Sequence, residues 1–187
     1  MSRFSFLAAV AVVALVATDC RKAVPTPDGI PPAADVVAAA VKRASAEHKV
    51  VLIEFGASWC QWCRRFEAFV KAPDTSPIIA ANYIVVNLTV HEHDGKEALE
   101  NPGGNALMDS WGGANSGLPF YVFVDQNGKK VADSNVMPKG DNLGFPAAPE
   151  EIAAFMGLVD KTAPTLSAAD RGVIEGYLTR AASAPRS

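Results

Sequence analysis

The feature that most restricts the fold is a short apolar run that leads directly into two closely spaced cysteines. The run, Val50–Phe55, is dominated by β-branched residues, which is typical of a buried central strand. After a short turn come Cys60 and Cys63, and then apolar residues at helical spacing. We therefore predict a strand, a turn and a helix that begins near Cys60 and ends at or before Pro73.

The sequence around this junction predicts an α/β domain. The apolar run Tyr83–Val90 suits a second strand, and the helix before it makes the pair a parallel, right-handed βαβ unit. A β-hairpin follows over Phe120–Ser134, with Asn127-Gly128 at its turn. Other helical patterns precede the first strand, precede the hairpin, and fill the C-terminal part from Pro149. Together these elements predict a central mixed sheet with helices on both faces.

Size and composition exclude several classes of protein. The chain has 187 residues, of which 49% are hydrophobic, so one domain can bury a sizeable core without a disulfide scaffold. Its formal net charge is only −3, and its basic residues do not gather into a patch. We therefore predict no interaction with nucleic acid.

Both ends of the chain are predicted to lie outside the domain. Arg3 precedes the apolar run Phe4–Ala17, which is too short to cross a bilayer but suits a signal peptide. Export to the periplasm or another extracytoplasmic compartment is therefore expected, with lipid attachment at Cys20 as an alternative, because a cysteine there resembles that of bacterial lipoproteins. The predicted segments are a signal peptide (1–19), a proline-rich linker (20–33), the folded domain (34–182) and a disordered tail (183–187).

Three kinds of chemistry can explain two cysteines at this spacing. A structural zinc site needs four ligands, and only His91 and His93 could complete one with the two cysteines. A purely structural disulfide across so short a loop would remove little entropy from the unfolded chain. A redox pair that opens and closes explains both the spacing and the position between strand and helix. We favour the redox pair and keep metal binding as the alternative.

The position at the start of a helix predicts different tasks for the two thiols. Cys60 faces the unpaired N–H groups and the positive end of the helix dipole, which favour the nucleophilic thiolate. Arg64 and Arg65 add positive charge nearby. Cys63 lies one turn inside the helix and is expected to be the less exposed of the two. We therefore predict that Cys60 attacks a partner disulfide and that Cys63 resolves the resulting mixed disulfide.

These motifs resemble those of the thioredoxin superfamily. The stretch FGASWCQWC, followed by a strand and then by GLPFYVFVDQNGK, is similar to exported thioredoxin-like proteins and to the C-terminal periplasmic domain of the thiol:disulfide interchange protein DsbD. The resemblance covers roughly Val50 to Asp133. It implies a thioredoxin-like fold, here with extra N- and C-terminal helices.

The resemblance also implies roles in substrate binding. Pro119 matches a proline that is cis and lies against the cysteine pair, although only about 5% of X-Pro bonds are cis in general. The backbone before that proline, at Leu118, can then pair with an incoming chain. Trp59 and Trp62 are expected to offer an aromatic surface to the substrate.

Glu54 is the one acidic residue inside the first strand, and it matches the buried acid of thioredoxins. Burial would raise the pKa of its carboxyl, so that it could accept the proton of Cys63 when that thiol attacks. The lysine that pairs with this acid in the family is absent, and Asn87 is the nearest residue on the second strand. The segment Ser134–Pro149 is longer than in a minimal thioredoxin, and its role stays open.

These observations predict an exported thiol-disulfide oxidoreductase that reduces substrate-protein disulfides through Cys60-Gln61-Trp62-Cys63. Because electrons pass by thiol exchange, no cofactor is expected, and an upstream thiol donor, for which a membrane-embedded protein is a candidate, must reduce the pair again. Oxidase and isomerase activity stay open, since related folds span on the order of 150 mV in reduction potential. The alternatives are a metallochaperone or metal-binding module that adds His91 and His93, and a module that only binds a partner.

Overall fold

The computed structural model describes residues 29–183. The predicted signal peptide, Cys20, most of the linker and the last four residues lie outside this range. Within it the α-helices and strands are α1 (Ala33–Glu47), β1 (Val50–Gly56), α2 (Gln61–Lys71), α3 (Ser76–Asn82), β2 (Tyr83–Thr89), α4 (Gly104–Met108), β3 (Phe120–Val124), β4 (Lys130–Asp133), α5 (Pro149–Thr162) and α6 (Ala168–Ala182). Short 3-10 turns at Glu97–Leu99 and Pro138–Gly140 and a π-helical turn at Asp109–Gly113 complete the described elements.

The four strands form one mixed sheet in the order β2-β1-β3-β4. β1 is parallel to β2 and antiparallel to β3, and β3 pairs with β4 as the predicted hairpin. The parallel βαβ unit and the hairpin are therefore both confirmed. Since β1 has a neighbour on each side, residues at its C-terminal end lie in the middle of the sheet.

Helices cover both faces of the sheet, as the sequence predicts. α1 and α4 pack on one face, which takes Val51, Ile53 and Phe55 from β1. α2, α5 and α6 pack on the other face, which takes Leu52. Because side chains alternate between the faces of a strand, Glu54 and Gly56 also lie on the α2 side. The alternation of β1 thus directs Glu54 towards the helix that carries Cys63.

Two parts of the chain differ from the sequence-based picture. Helix α3 was not predicted, because it has only seven residues and begins with a proline in its first turn. The segment Ser134–Pro149 packs into the core on the α2 side through Leu143 and Phe145, each only 4% exposed. Within residues 29–183, no helix combines the length and the apolar character that crossing a membrane requires.

Candidate redox site

Cys60 and Cys63 form a disulfide at the start of α2, with their Cα atoms 5.3 Å apart. Cys60 is the N-cap residue of this helix, and its Sγ accepts a hydrogen bond from the backbone N–H of Cys63 at 3.0 Å. The Cys60 sulfur thus lies at the helix N-terminus, where backbone N–H groups have no partner within the helix. In the reduced state the same donor would stabilise a thiolate on Cys60.

The prediction that Cys63 is the less exposed cysteine is wrong for this disulfide form. Cys60 is 3% exposed and Cys63 is 7% exposed. The half-buried side chains of Trp62 and Leu118 pack against the small cluster that the cysteines form with Ala57. On the other side of Cys63 stands Gly56, which has no side chain to cover the sulfur.

The Leu118-Pro119 peptide bond is cis, as the resemblance implies. Pro119 is buried and Leu118 is half-buried against the cysteine cluster. The side-chain amide of Asn142 donates hydrogen bonds to the carbonyl oxygens of Gly117, at 2.7 Å, and Pro119, at 3.0 Å. Asn142 therefore holds the backbone on both sides of Leu118, a contact that the sequence did not reveal.

Glu54 is buried beneath the site, with 2% of its surface exposed. Its partners in the sheet are Asn87 on β2 and Tyr121 on β3. The Asn87 side-chain amide donates a hydrogen bond to Glu54 Oε2 at 2.7 Å, so the residue of the second strand expected nearest to the acid contacts it. The pKa of Glu54 is raised to about 8, mainly by burial and in smaller part by the charge of Glu67, while the charge of Lys71 opposes the rise.

A cavity of about 470 Å³ joins Glu54, Cys63 and Asn87. Gly56 separates the acid from the thiol, and a Cβ atom there would lie 3.3 Å from Cys63 Sγ and 3.6 Å from Glu54 Oε1. Glu54 and Asn87 contribute polar groups to this cavity, and its volume is large enough to hold a water.

The Gly56→Ala variant is expected to lose about 1–2 kcal/mol of unfolding free energy in the oxidised form. The added methyl group would lie 3.3 Å from both Cβ and Sγ of Cys63, so it overpacks the disulfide. Gly157→Ala is the matched control, because Gly157 is exposed inside α5 with nothing near its missing Cβ. That control should gain about 0.5–1 kcal/mol from helix propensity. Urea unfolding of both variants measures the difference, and equal gains would show that Gly56 is not tightly packed.

A second buried acid, Glu92, shapes the turn before Cys60. It is 6% exposed and accepts hydrogen bonds from Ser58, at 2.5 Å from the backbone N–H and 2.8 Å from the hydroxyl. Arg64 Nη1 donates to the Ser58 carbonyl at 3.0 Å, so it contacts the turn rather than only the solvent. Sequence reasoning missed Glu92, since an acid just after a strand is more often exposed.

The two histidines of the metal alternative surround Trp59 rather than the cysteines. Trp59 is 45% exposed, and its Nε1 donates to the carbonyl oxygen of His91 at 2.8 Å. The His93 ring lies 5.3 Å from the Trp59 ring, and its Nδ1 lies 2.6 Å from Asp94. Residues 29–183 contain no group of three or more His, Cys, Asp and Glu side chains that could hold a metal ion. The Cys2His2 set of the metal alternative is therefore not assembled among these residues.

Comparisons with known proteins agree with this architecture. The model of a thioredoxin-like family matches residues 33–126, about half of the chain. The thiol:disulfide interchange protein DsbD of Photorhabdus laumondii is 29% identical over 91 residues, which is 48% of this chain and 14% of that protein. The chain thus spans only a small part of the length of this curated relative.

Solved structures also align with parts of this chain at low sequence identity. A disulphide isomerase from Xylella fastidiosa Temecula1 is 22% identical, with a TM-score of 0.46 over 78% of this chain and 87% of that one. The oxidised C-terminal domain of DsbD from Neisseria meningitidis is 21% identical, with a TM-score of 0.38 over 56% of this chain and 84% of that one. On the match of the family model, this chain belongs to the thioredoxin-like family.

Proposed function

We propose that this protein is a thiol-disulfide oxidoreductase that reduces disulfides of substrate proteins through Cys60 and Cys63. The observation that carries the proposal is the cysteine disulfide at the N-terminus of α2, with the buried acid Glu54 across a cavity from Cys63. The fold alone would not suffice, because one fold can host many functions. Here the placement of a nucleophile, a second thiol and a proton acceptor fits thiol exchange.

In the first step, the Cys60 thiolate attacks one sulfur of the substrate disulfide. A bond forms between Cys60 and that sulfur, the substrate disulfide breaks, and the leaving thiolate takes a proton from solvent. The N–H of Cys63, which contacts the Cys60 sulfur at 3.0 Å, stabilises the attacking thiolate. Trp59, Trp62 and the Leu118-Pro119 backbone are the surfaces that would contact the substrate.

In the second step, Cys63 gives its proton to ionised Glu54 and attacks the Cys60 sulfur of the mixed disulfide. The Cys60–Cys63 disulfide forms, the bond between Cys60 and the substrate sulfur breaks, and that sulfur leaves as a thiolate that is then protonated. Glu54 returns its proton to solvent. The substrate has gained two electrons and the protein has lost two. A dithiol donor must then reduce the pair for the next cycle, and no bound cofactor takes part.

The reducing direction and the location are part of the proposal. The similarity to a thiol:disulfide interchange protein supports exchange with other thiol proteins. The apolar run near the N-terminus supports export, so we place the reaction in the periplasm or another extracytoplasmic space. Lipid attachment at Cys20 stays a prediction of the sequence.

The test is to trap the intermediate with the Cys63→Ala variant in the native compartment. This variant should accumulate mixed disulfides on Cys60, because nothing resolves them, and turnover should fall by about three orders of magnitude. The control is Cys60→Ala, which keeps one thiol but should trap far less. If Cys60 reacts with an alkylating agent in the Cys63→Ala variant and yet traps no protein, the proposed function is wrong.

A further inference from the structure

The inserted segment Ser134–Pro149 is part of the surface beside the cysteine pair. Asn142, near its middle, bonds to the carbonyl oxygens on both sides of Leu118. Its Oδ1 accepts a hydrogen bond from the Ser134 hydroxyl at 2.6 Å, and the Leu143 N–H donates to the Ser134 carbonyl at 2.7 Å. These contacts tie the insertion to the cis-proline backbone that the proposed function assigns to substrate binding.

The insertion also reaches the residue between the two cysteines. The Phe145 ring stacks with the Trp62 ring at a centroid distance of 6.2 Å and an interplanar angle of 20°. Trp62 in turn packs against the cysteine cluster. A half-buried aromatic surface at Trp62, backed by the buried ring of Phe145, therefore links the disulfide to the insertion.

A groove of about 390 Å³ lies along this surface. Its apolar walls include Trp62, Leu118, Leu143 and Phe145. The volume suits a few side chains rather than a folded domain. A group that enters the groove while its own chain is bonded to Cys60 must lie within a few residues of the bonded cysteine, because an extended chain advances about 3.4 Å per residue.

Two charged residues border the groove, and only one of them is available to a ligand. Glu151 Oε2 accepts hydrogen bonds from the N–H groups of Ala147 and Ala148, so it is occupied at the start of α5. Arg65 lies with its guanidinium 5.0 Å from the centre of the Trp62 ring. Among residues 29–183, none of the ion pairs involves Arg65. The uncommitted charge at the groove is therefore positive.

We propose that the insertion and Trp62 form a groove, next to Cys60–Cys63, for an extended polypeptide that carries an apolar and an acidic side chain close to its reactive cysteine. The apolar side chain lies on the aromatic surface, and the acidic one pairs with Arg65. This proposal rests on the proposed function and names the class of substrate that the site selects.

The test measures how fast symmetrical peptide disulfides oxidise the reduced full-length protein in a single turnover. The peptides are Asp-Phe-Cys-Phe-Asp, the same peptide with Lys for Asp, and the same peptide with Ser for Phe. The wild-type protein should react about fivefold faster with the Asp peptide than with the Lys peptide, as one surface ion pair allows. It should also prefer Phe to Ser, and high salt should weaken only the Asp preference.

Charge reversal supplies the decisive comparison. Arg65→Glu should invert the order of the Asp and Lys peptides, whereas Arg43→Glu, on α1 across the sheet, should leave it unchanged. An Asp preference that survives in Arg65→Glu overturns the groove proposal. A preference that appears only after removal of residues 184–187 also overturns it, because the chain's own end would then be the ligand of the groove. If no peptide oxidises any variant, the proposed function itself has failed.

Discussion

At pH 7, the Glu54→Gln variant should be more stable than the natural protein by about 3 kcal/mol in the oxidised form. Burial raises the pKa of Glu54 from 4.5 to about 8, so the folded protein holds a proton that the unfolded chain has released. Holding that proton has a free-energy cost that a neutral glutamine does not carry. Glutamine can still accept the hydrogen bond from Asn87 through its own carbonyl oxygen.

The sign of the effect follows from a pKa that is raised, not depressed, on folding. Below about pH 4.5 both states are protonated, so Glu54 contributes no penalty and the variant should gain little. Between about pH 4.5 and pH 8 the natural protein should lose about 1.4 kcal/mol per pH unit relative to the variant, and the difference should level off near 5 kcal/mol above pH 8.

Urea unfolding of the oxidised proteins at several pH values from 4 to 9 measures this difference. The matched control is Glu175→Gln, which removes an exposed carboxylate on α6. That change should shift the free energy of unfolding by less than about 0.5 kcal/mol at every pH. A gain for Glu54→Gln that is the same at every pH would mean that ionisation of Glu54 is not its cause.

The same substitution should slow the release of substrate by about 100-fold at pH 7. In the proposed mechanism the ionised fraction of Glu54, about a tenth at pH 7, accepts the proton of Cys63, and a pKa of about 8 lies close to that of an ordinary thiol. Proton transfer between the two groups is therefore nearly balanced in free energy, which suits a general base. Glutamine cannot accept that proton, so Cys63 must ionise to solvent first.

The release step is measured with a mixed disulfide between Cys60 and a small aromatic thiol. Rapid mixing starts the reaction, and the rate at which the aromatic thiol is released reports the attack by Cys63. Alkylation of Cys60 in Cys63→Ala, with and without Glu54→Gln, is the control for the first step and should change by less than about threefold. The deficit should shrink as the pH rises above 8, because hydroxide in solvent can then take the thiol proton in place of Glu54. Equal release rates for both proteins from pH 6 to pH 9 would remove Glu54 from the mechanism.

Together the two results would show a residue that costs stability in return for activity. A group that is buried with a raised pKa is a destabilising feature of a fold, and such features are common at functional sites. An apolar or amide residue at position 54 would suit the strand better. The site therefore departs from the best local choice for stability at the residue proposed for proton transfer.

Local features of the sequence predicted much of the fold. The apolar run of β1, the helix after Cys60 and the Asn127-Gly128 hairpin each depend on residues close together in the chain, and the structure contains all three. Helix α3 was not predicted because it is too short to show a helical period. The packing of the segment Ser134–Pro149 was not predicted for another reason, since its composition indicates a loop but not where the loop packs.

The sequence by itself determined where the cysteine pair lies: a strand, a turn and a helix place Cys60 at a helix N-terminus, because periodicity and capping act over a few residues. Only the tertiary structure decided how the pair is surrounded. Ser58 and Glu92 are 34 positions apart, and Asn142 reaches carbonyl oxygens 25 and 23 positions away. Side-chain hydrogen bonds and cavities of this kind form between segments that are distant in the chain. A local sequence pattern does not determine which two polar groups will form such a hydrogen bond.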